Sequence, residues 1–92
     1  AYIIRNGHPM MAKITGSGCM LSAMTTAYIT ANPNHLLEAT AASVCAMGVA
    51  GEIAVTHLAP YEGNSTYRNR LIDTIYSLDG ETLESRANYE VR

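Results

Sequence analysis

Apolar residues follow a strand pattern at the start of the chain. Residues 2–4 form a short apolar run, and Asn6-Gly7 separates it from a second run over residues 10–14. Asn-Gly between two such runs is the strongest short-range hairpin signal, because a type I′ turn needs positive φ at both central residues. The sequence therefore predicts a β-hairpin, with Pro9 at the start of its second strand.

Helical spacing replaces the strand pattern after Gly16-Ser17-Gly18. Asn32-Pro33 ends this first predicted helix and begins a second one, over about residues 35–58. The middle of the second helix, residues 39–54, is nearly all small, so neighbouring helices can approach it on every face and we expect it to be buried. The inner face of the first helix carries Met20, Met24, Ala27, Tyr28 and Ala31.

A third helix is predicted to begin at the N-cap Ser65 and to end at Gly80. Residues 81–92 are polar and without periodicity, and we expect a mobile or partner-docked tail. The sequence thus predicts that residues 1–80 form a portion of one domain, a β-hairpin followed by three helices, with the tail beyond it. Because the first residue is Ala and the first strand has no partner before it, we expect a fragment of a longer protein.

Charge and composition restrict the partners. The 92 residues carry six basic and eight acidic side chains, a balance that favours neither nucleic acid nor an anionic membrane. The longest uncharged apolar run, residues 39–51, is shorter than the roughly 20 residues that cross a bilayer. Two cysteines make no disulfide framework, so we expect a reducing, cytoplasmic setting.

The glycine turn before the first helix is the main candidate for chemistry. It lacks the Lys of a Walker loop, since Cys19 follows Gly18; it also lacks the third glycine of a dinucleotide fingerprint and the flanking pattern of a nucleophile elbow. What remains is a Gly-x-Gly turn at a helix N-terminus, where unpaired N–H groups and the helix dipole favour an anion. Glycines at 16 and 18 leave room for a phosphate to approach the backbone of Gly16, Ser17 and Gly18.

Cys19 has two interpretations. The first turn of a helix favours a thiolate, so Cys19 is a candidate base or nucleophile. It is also consistent with a small apolar residue that fills a tight junction. Cys45, inside the Ala-rich helix, is interpreted as packing.

Other polar side chains carry weaker signals. Glu52 is either a carboxylate linked to a site or a charge that reaches the surface, and the three histidines have no zinc-ligand spacing. Arg5 and Lys13 are interpreted as a solvated face rather than as phosphate ligands. Helical spacing predicts a surface pairing of Arg68 and Arg70 with Asp73, and the methionines are expected to fill the core.

The segment from Asn6-Gly7-His8-Pro9 to Ile14-Thr15-Gly16-Ser17-Gly18-Cys19 resembles hydroxyethylthiazole kinases, in which a Thr-Gly-Thr/Ser-Gly-Cys turn precedes a helix. Residues 37–39, 48–54 and 67–76 agree as well, so the similarity spans about residues 3–80. The resemblance implies the C-terminal part of an α/β ribokinase-like three-layer fold. Most ribokinase-like enzymes end this turn in Asp, whereas this subgroup has Cys, as here.

The resemblance also implies a reaction and its participants. ATP, with Mg²⁺ on its phosphates, would phosphorylate the hydroxyl of 4-methyl-5-(2-hydroxyethyl)thiazole in thiamine biosynthesis or salvage. Gly16, Ser17 and Gly18 would form the anion hole for the γ-phosphate, Gly16 would border the alcohol, and Cys19 would act on its hydroxyl. The other ATP and thiazole contacts would come from the N-terminal remainder of the enzyme, in a homotrimer, and the fragment alone should be inactive.

Two alternatives to the kinase remain at this point. A cysteine hydrolase or acyltransferase would use Cys19 as a covalent nucleophile and would need a histidine partner. A non-catalytic module would instead use the Ala/Gly-rich helix and the third helix as an association surface.

Overall fold

A long helix, α2, stands at the centre of the fold and contacts every other helix and β1. The structure is a computed structural model and describes all of residues 1–92. Two elements precede α1, and one helix and one strand follow α3. In chain order the elements are β1 (Tyr2–Ile4), a 3₁₀ helix (Pro9–Lys13), α1 (Ser17–Ala31), α2 (Leu36–Thr56), α3 (Asn64–Ser77), α4 (Gly80–Arg86) and β2 (Tyr89–Val91).

The small residues of α2 allow α1 and α3 to pack against it closely, as the sequence predicted. Two large side chains of α3, Tyr67 and Leu71, are fully buried in the same core. The Tyr67 hydroxyl donates a hydrogen bond to the carbonyl of Gly51 at 3.0 Å, and burial raises the pKa of Tyr67. Burial of such side chains contributes about 1.5–3 kcal/mol each. The methionines fill the remaining core space, as expected: Met10, Met11, Met20, Met24 and Met47.

The predicted hairpin is wrong. β1 pairs antiparallel with β2 at the other end of the chain, with Ile3 opposite Glu90. A type I′ turn needs two positive φ angles, and here only Gly7 has one, at +143°. Pro9 begins a 3₁₀ helix instead of a strand, and the His8 imidazole caps this helix by accepting a hydrogen bond from the Met10 amide at 3.1 Å.

The predicted tail is also wrong. Residues 80–86 form α4, whose N-cap Asp79 accepts a hydrogen bond from the Thr82 amide at 2.7 Å. This bond lowers the pKa of Asp79. Gly80 therefore begins a helix rather than ending one, and α3 ends at Ser77. The N-cap of α3 is Gly63, two residues before the predicted Ser65.

By length and composition alone, α2 could cross a membrane, although the uninterrupted apolar run within it is shorter. In the fold, 56% of its most apolar window is buried by the rest of the chain. Its buried stretch runs from Ala39 to Ala54, while Leu36 and Leu37 in its first turn are exposed. This is the usual arrangement of a core helix.

Candidate functional site

The glycine turn forms the N-terminus of α1, where the sequence placed it. Gly16 is the N-cap and has φ +92°, a left-handed backbone conformation that residues other than glycine rarely adopt. Its carbonyl accepts the first hydrogen bond of the helix, from the Met20 amide at 3.0 Å. Ser17, Gly18 and Cys19 are the first three helical residues, so the chain places all four candidate residues within one turn.

The backbone amides at this turn are available to a ligand. Neither the Gly16 nor the Gly18 N–H donates a hydrogen bond within the chain. A Cβ built on Gly18 would meet no atom within 4 Å, so the space beside it is open. Unpaired amides at the positive end of a helix, with an open approach, suit an oxyanion such as a phosphate.

Arg68 of α3 reaches this turn, which the sequence did not predict. Its Nε donates a hydrogen bond to the Thr15 carbonyl at 3.1 Å. The expected pairing with Asp73 is absent from the chain; Arg70 instead lies 3.8 Å from Glu62. The contact joins residues 53 positions apart, and no local spacing could have indicated it.

Cys19 is exposed in the first turn of α1, and its thiol makes no hydrogen bond within the chain. No histidine hydrogen-bonds to it, and the one histidine side chain that forms a hydrogen bond within the chain, His8, caps the 3₁₀ helix. Cys19 is thus positioned to meet a ligand at the turn. It has no base partner in this chain.

Cys45 is buried, in agreement with its interpretation as packing. Its thiol donates a hydrogen bond to Asn6 Oδ1 at 3.3 Å, and burial raises its pKa. The same Asn6 donates from Nδ2 to Glu52 Oε1 and to the Arg86 carbonyl, each at 2.9 Å. Glu52 therefore anchors the segment after β1, a role that neither interpretation of this residue included.

No group of three or more His, Cys, Asp or Glu side chains in the chain is arranged to hold a metal ion. Arg5 forms an ion pair with Glu90 of β2 and belongs to the sheet. Lys13 is exposed in the last turn of the 3₁₀ helix, three residues before Gly16. Arg68 is therefore the side chain of another element that hydrogen-bonds to the turn in this chain.

Comparisons with known proteins identify the family of this chain. The model of the hydroxyethylthiazole kinase family matches residues 1–81. A hydroxyethylthiazole kinase from Clostridium acetobutylicum is 60% identical over 90 residues, which is 98% of this chain and 33% of that protein. One from Zea mays is 35% identical over 89 residues, covering 97% of this chain and 31% of that protein.

A solved structure shows the same fold. The hydroxyethylthiazole kinase protein of Pyrococcus horikoshii OT3 superposes with a TM-score of 0.84 at 28% identity, over 99% of this chain and 34% of that one. The chain thus spans about one third of the length of the relatives it matches. The match extends over the glycine turn and all three long helices. This chain belongs to the hydroxyethylthiazole kinase family.

Proposed function

We propose that this chain is the C-terminal third of a kinase that transfers the γ-phosphoryl group of ATP to the hydroxyl of 4-methyl-5-(2-hydroxyethyl)thiazole. The observation that carries the proposal is the turn at Gly16–Cys19, with its unpaired amides, within a chain that belongs to this family. The relatives named above are hydroxyethylthiazole kinases. The product would be the thiazole phosphate used in thiamine biosynthesis or salvage.

The chain's part in this reaction is to hold the transferring phosphoryl group. The oxygen of the substrate alcohol forms a bond to the γ-phosphorus, the bond to the β-phosphate oxygen breaks, and the alcohol proton leaves. Negative charge is spread over the oxygens of the γ-phosphoryl group during this step. The amides of Gly16, Ser17 and Gly18, at the positive end of α1, would stabilise that charge.

Cys19 would act at the alcohol. It is exposed one residue beyond the amides of the turn and has no partner within the chain. From this position the thiolate would accept the alcohol proton, or the thiol would orient the hydroxyl for attack. Gly16, the N-cap, would border the same hydroxyl.

ATP would approach the turn through its terminal phosphate, because the Gly16 and Gly18 amides donate no hydrogen bond within the chain and a Cβ on Gly18 would meet no atom within 4 Å. The chain offers no cluster of carboxylates for Mg²⁺. Mg²⁺ bound with ATP would neutralise the charge of its phosphates. The N-terminal remainder would supply the other ATP and thiazole contacts, and we propose a cytoplasmic homotrimer.

The test is a coupled assay of the full-length protein that contains this chain, with MgATP and hydroxyethylthiazole. We expect ADP and the thiazole phosphate to appear in equal amounts, and Cys19→Ala to lower kcat. Val44→Ala, at an exposed position of α2 away from the turn, is the matched control. Absence of both turnover and nucleotide binding at millimolar MgATP would overturn the proposal.

The two alternatives receive less support. A cysteine hydrolase would need a base for Cys19, and no histidine of the chain hydrogen-bonds to it. Acylation of Cys19 by an acyl-type probe, without phosphoryl transfer, would favour that alternative. A non-catalytic association module would oligomerise without binding nucleotide.

A further inference from the structure

We propose that Arg68 is a positioning residue for the phosphate-binding turn, holding the Thr15–Gly16 peptide in the orientation that directs the Gly16 N–H toward the transferring phosphate. The inference rests on the proposed kinase function of the turn. The contact between Arg68 of α3 and the turn is separate from the backbone amides of the glycine turn and from the proposed role of Cys19. Arg68 would act through the backbone of Gly16 rather than on the substrate itself.

Arg68 is hydrogen-bonded to the peptide that precedes the turn. Arg68 Nε donates to the Thr15 carbonyl at 3.1 Å, and the guanidinium forms no ion pair within the chain. Its Nη2 lies 3.8 Å from the point that a Cβ on Gly16 would occupy. The side chain therefore lies alongside the Thr15–Gly16 peptide.

The direction of the Gly16 N–H follows from peptide geometry. The chain has no cis peptide bonds, and in a planar trans peptide the C=O and the next N–H point in opposite directions. A donor that fixes the Thr15 carbonyl therefore also fixes the direction of the Gly16 N–H. With the carbonyl directed at Arg68, the Gly16 N–H points away from that side chain, and it has no partner within the chain.

Arg68 extends from a helix, α3, that is fixed in the core. Its neighbour Tyr67 is fully buried, and so is Leu71 one turn later. The helix that carries Arg68 thus has little freedom to shift relative to α2, and it also contacts the 3₁₀ helix that leads into the turn. An exposed arginine on a fixed helix can hold the Thr15–Gly16 peptide, because glycine restricts its own backbone less than any other residue does.

A pair of substitutions separates positioning from charge. In Arg68→Gln, the amide nitrogen stands the same number of bonds from Cα as Arg Nε, so a donor is kept and the charge is lost. Arg68→Lys keeps the charge but has no nitrogen at that position. Arg68→Ala removes both, and Arg70→Ala, two residues along the same helix and paired with Glu62, is the matched control.

In the full-length kinase we expect Arg68→Ala to lower kcat about tenfold. The KM for hydroxyethylthiazole should stay within about twofold, because the effect lies on the phosphoryl step rather than on alcohol binding. Arg68→Gln should recover most of kcat and Arg68→Lys little of it, with unfolding midpoints of all variants matching Arg70→Ala. An unchanged kcat in Arg68→Ala, a loss that tracks the unfolding midpoint, or rescue by Lys rather than Gln would overturn the inference.

A second measurement does not depend on turnover. With glycine-selective ¹⁵N labelling, the Gly16 amide signal should shift in Arg68→Ala but not in Arg68→Gln, and its response to added inorganic phosphate should weaken. If the unsubstituted protein forms no thiazole phosphate while the Gly16 signal behaves in this way, the proposed function fails and the positioning role stands. If the protein is an active kinase and the Gly16 amide signal is the same in Arg68→Ala as in the unsubstituted protein, the positioning role is wrong and the proposed function stands.

Discussion

The two glycines of the turn have different physical tasks. Gly16 is required by the backbone, because its φ of +92° is strained for any residue with a side chain. Gly18 has ordinary helical geometry, with open space where a Cβ would stand. Nothing in the folded chain therefore explains Gly18, whereas the close approach of a phosphate would.

This difference gives a prediction for Gly18→Ala. Alanine is favoured over glycine inside a helix by roughly 0.5–1 kcal/mol, so folding should be unchanged or slightly stabilised. A methyl group at this position would keep the phosphate away from the amides, so we expect kcat to fall at least about tenfold. Thermal unfolding and steady-state kinetics of the full-length enzyme measure the two effects separately.

The matched variant is Gly16→Ala, which should lower activity and stability together. Strain at a left-handed residue costs about 1–3 kcal/mol. Full activity of Gly18→Ala would mean that the phosphate does not approach Gly18, and would limit the anion hole to the other two amides.

Local chemistry determined how much of the site the sequence could predict. The turn and the helix after it follow from a contiguous Gly-x-Gly pattern, and the structure has them where expected. The exposure of Cys19 did not follow from the pattern, which also allowed a small residue filling a tight junction. Arg68 and Asn6 could not be assigned in this way. Their partners lie 53 and up to 82 positions away along the chain, and only the folded topology brings them together.

At the scale of elements, close packing around α2 depends on two glycines. A Cβ on Gly48 would lie 2.7 Å from the backbone of Asn6, and one on Gly51 would lie 2.4 Å from the Met11 sulfur. The methionine can move away, but the Asn6 side chain is hydrogen-bonded to Glu52 and to the Asn88 amide. The next backbone amide, that of Gly7, also donates to Glu52, so this segment is held in place. Gly48 therefore sets the distance between α2 and the segment after β1.

We accordingly predict that Gly48→Ala destabilises the protein by about 1–3 kcal/mol through overpacking. The loss should appear first as faster hydrogen exchange in residues 2–8. Gly80→Ala, in the first turn of α4 where no atom lies within 4 Å of the added Cβ, should change stability by less than about 0.5 kcal/mol. Equal denaturation midpoints for the two variants would contradict the prediction, because they would show that the Asn6 backbone moves away from the added methyl group at little cost in stability.

The C-terminal elements should be sensitive to acid. Hydrogen bonds from Thr82 lower the pKa of Asp79 at the start of α4, and those from Arg92 and Arg5 lower the pKa of Glu90 in β2. A carboxylate whose folded pKa lies below its unfolded value, about 4, stabilises the fold above pH 4 and loses that contribution as pH falls through the folded pKa. We expect α4 and β2 to loosen below about pH 4 while the core of α2 and α3 stays protected.

Hydrogen exchange corrected for intrinsic rates, measured over a pH series, follows this change. Asp79→Asn is the control, because Asn is also a good N-cap but does not titrate. In that variant the acid sensitivity of α4 should largely disappear. Loosening of α4 at the same pH in both proteins would assign the effect to other groups.

The sequence predicted the three long helices well and the ends of the chain poorly. Helical periodicity over 14–21 residues is a strong local signal, and α1, α2 and α3 lie close to their expected bounds. The strands are three residues each and pair across the whole chain. Local sequence carries no sign of such a distant pairing, whereas Asn6-Gly7 is a strong signal for a local hairpin. Asp79 is a favourable N-cap residue and could have indicated the start of α4. Residues 81–92 are polar and lack an apolar period, so no other local signal indicated a helix there.

At the scale of the whole molecule, the chain has a small core and an extended shape. Its extents are 44 × 22 × 21 Å, and 12 of 92 residues are buried. The radius of gyration is 13.1 Å, against about 12 Å expected for a compact domain of this length. Large apolar side chains remain exposed on several elements: Leu36, Leu37, Val44, Tyr61, Ile72, Tyr76, Tyr89 and Val91. In a complete kinase we expect the other two thirds of the fold to cover part of this surface.

This arrangement leads to a prediction about a chimera. If the chain is a functional third of a kinase, it should replace the matching third of the Clostridium acetobutylicum enzyme, to which it is 60% identical. The glycine turn, Arg68 and the packing of α2 would then act together with the host's nucleotide and thiazole contacts. We expect turnover within about tenfold of the host, since hydrophobic cores tolerate many substitutions that keep volume and pattern.

The chimera separates two causes of failure, because its folding can be checked by its unfolding midpoint before its activity is measured. The chain alone should give no turnover, as it lacks most of the expected site, and Cys19→Ala in the chimera should lower kcat as in the full-length protein. A chimera that folds like the host yet transfers no phosphate would mean that this turn has lost the family's activity while keeping its fold. In that case the substitutions to reverse first are those nearest Gly16, because the amide directions there depend on residues from two separate parts of the chain.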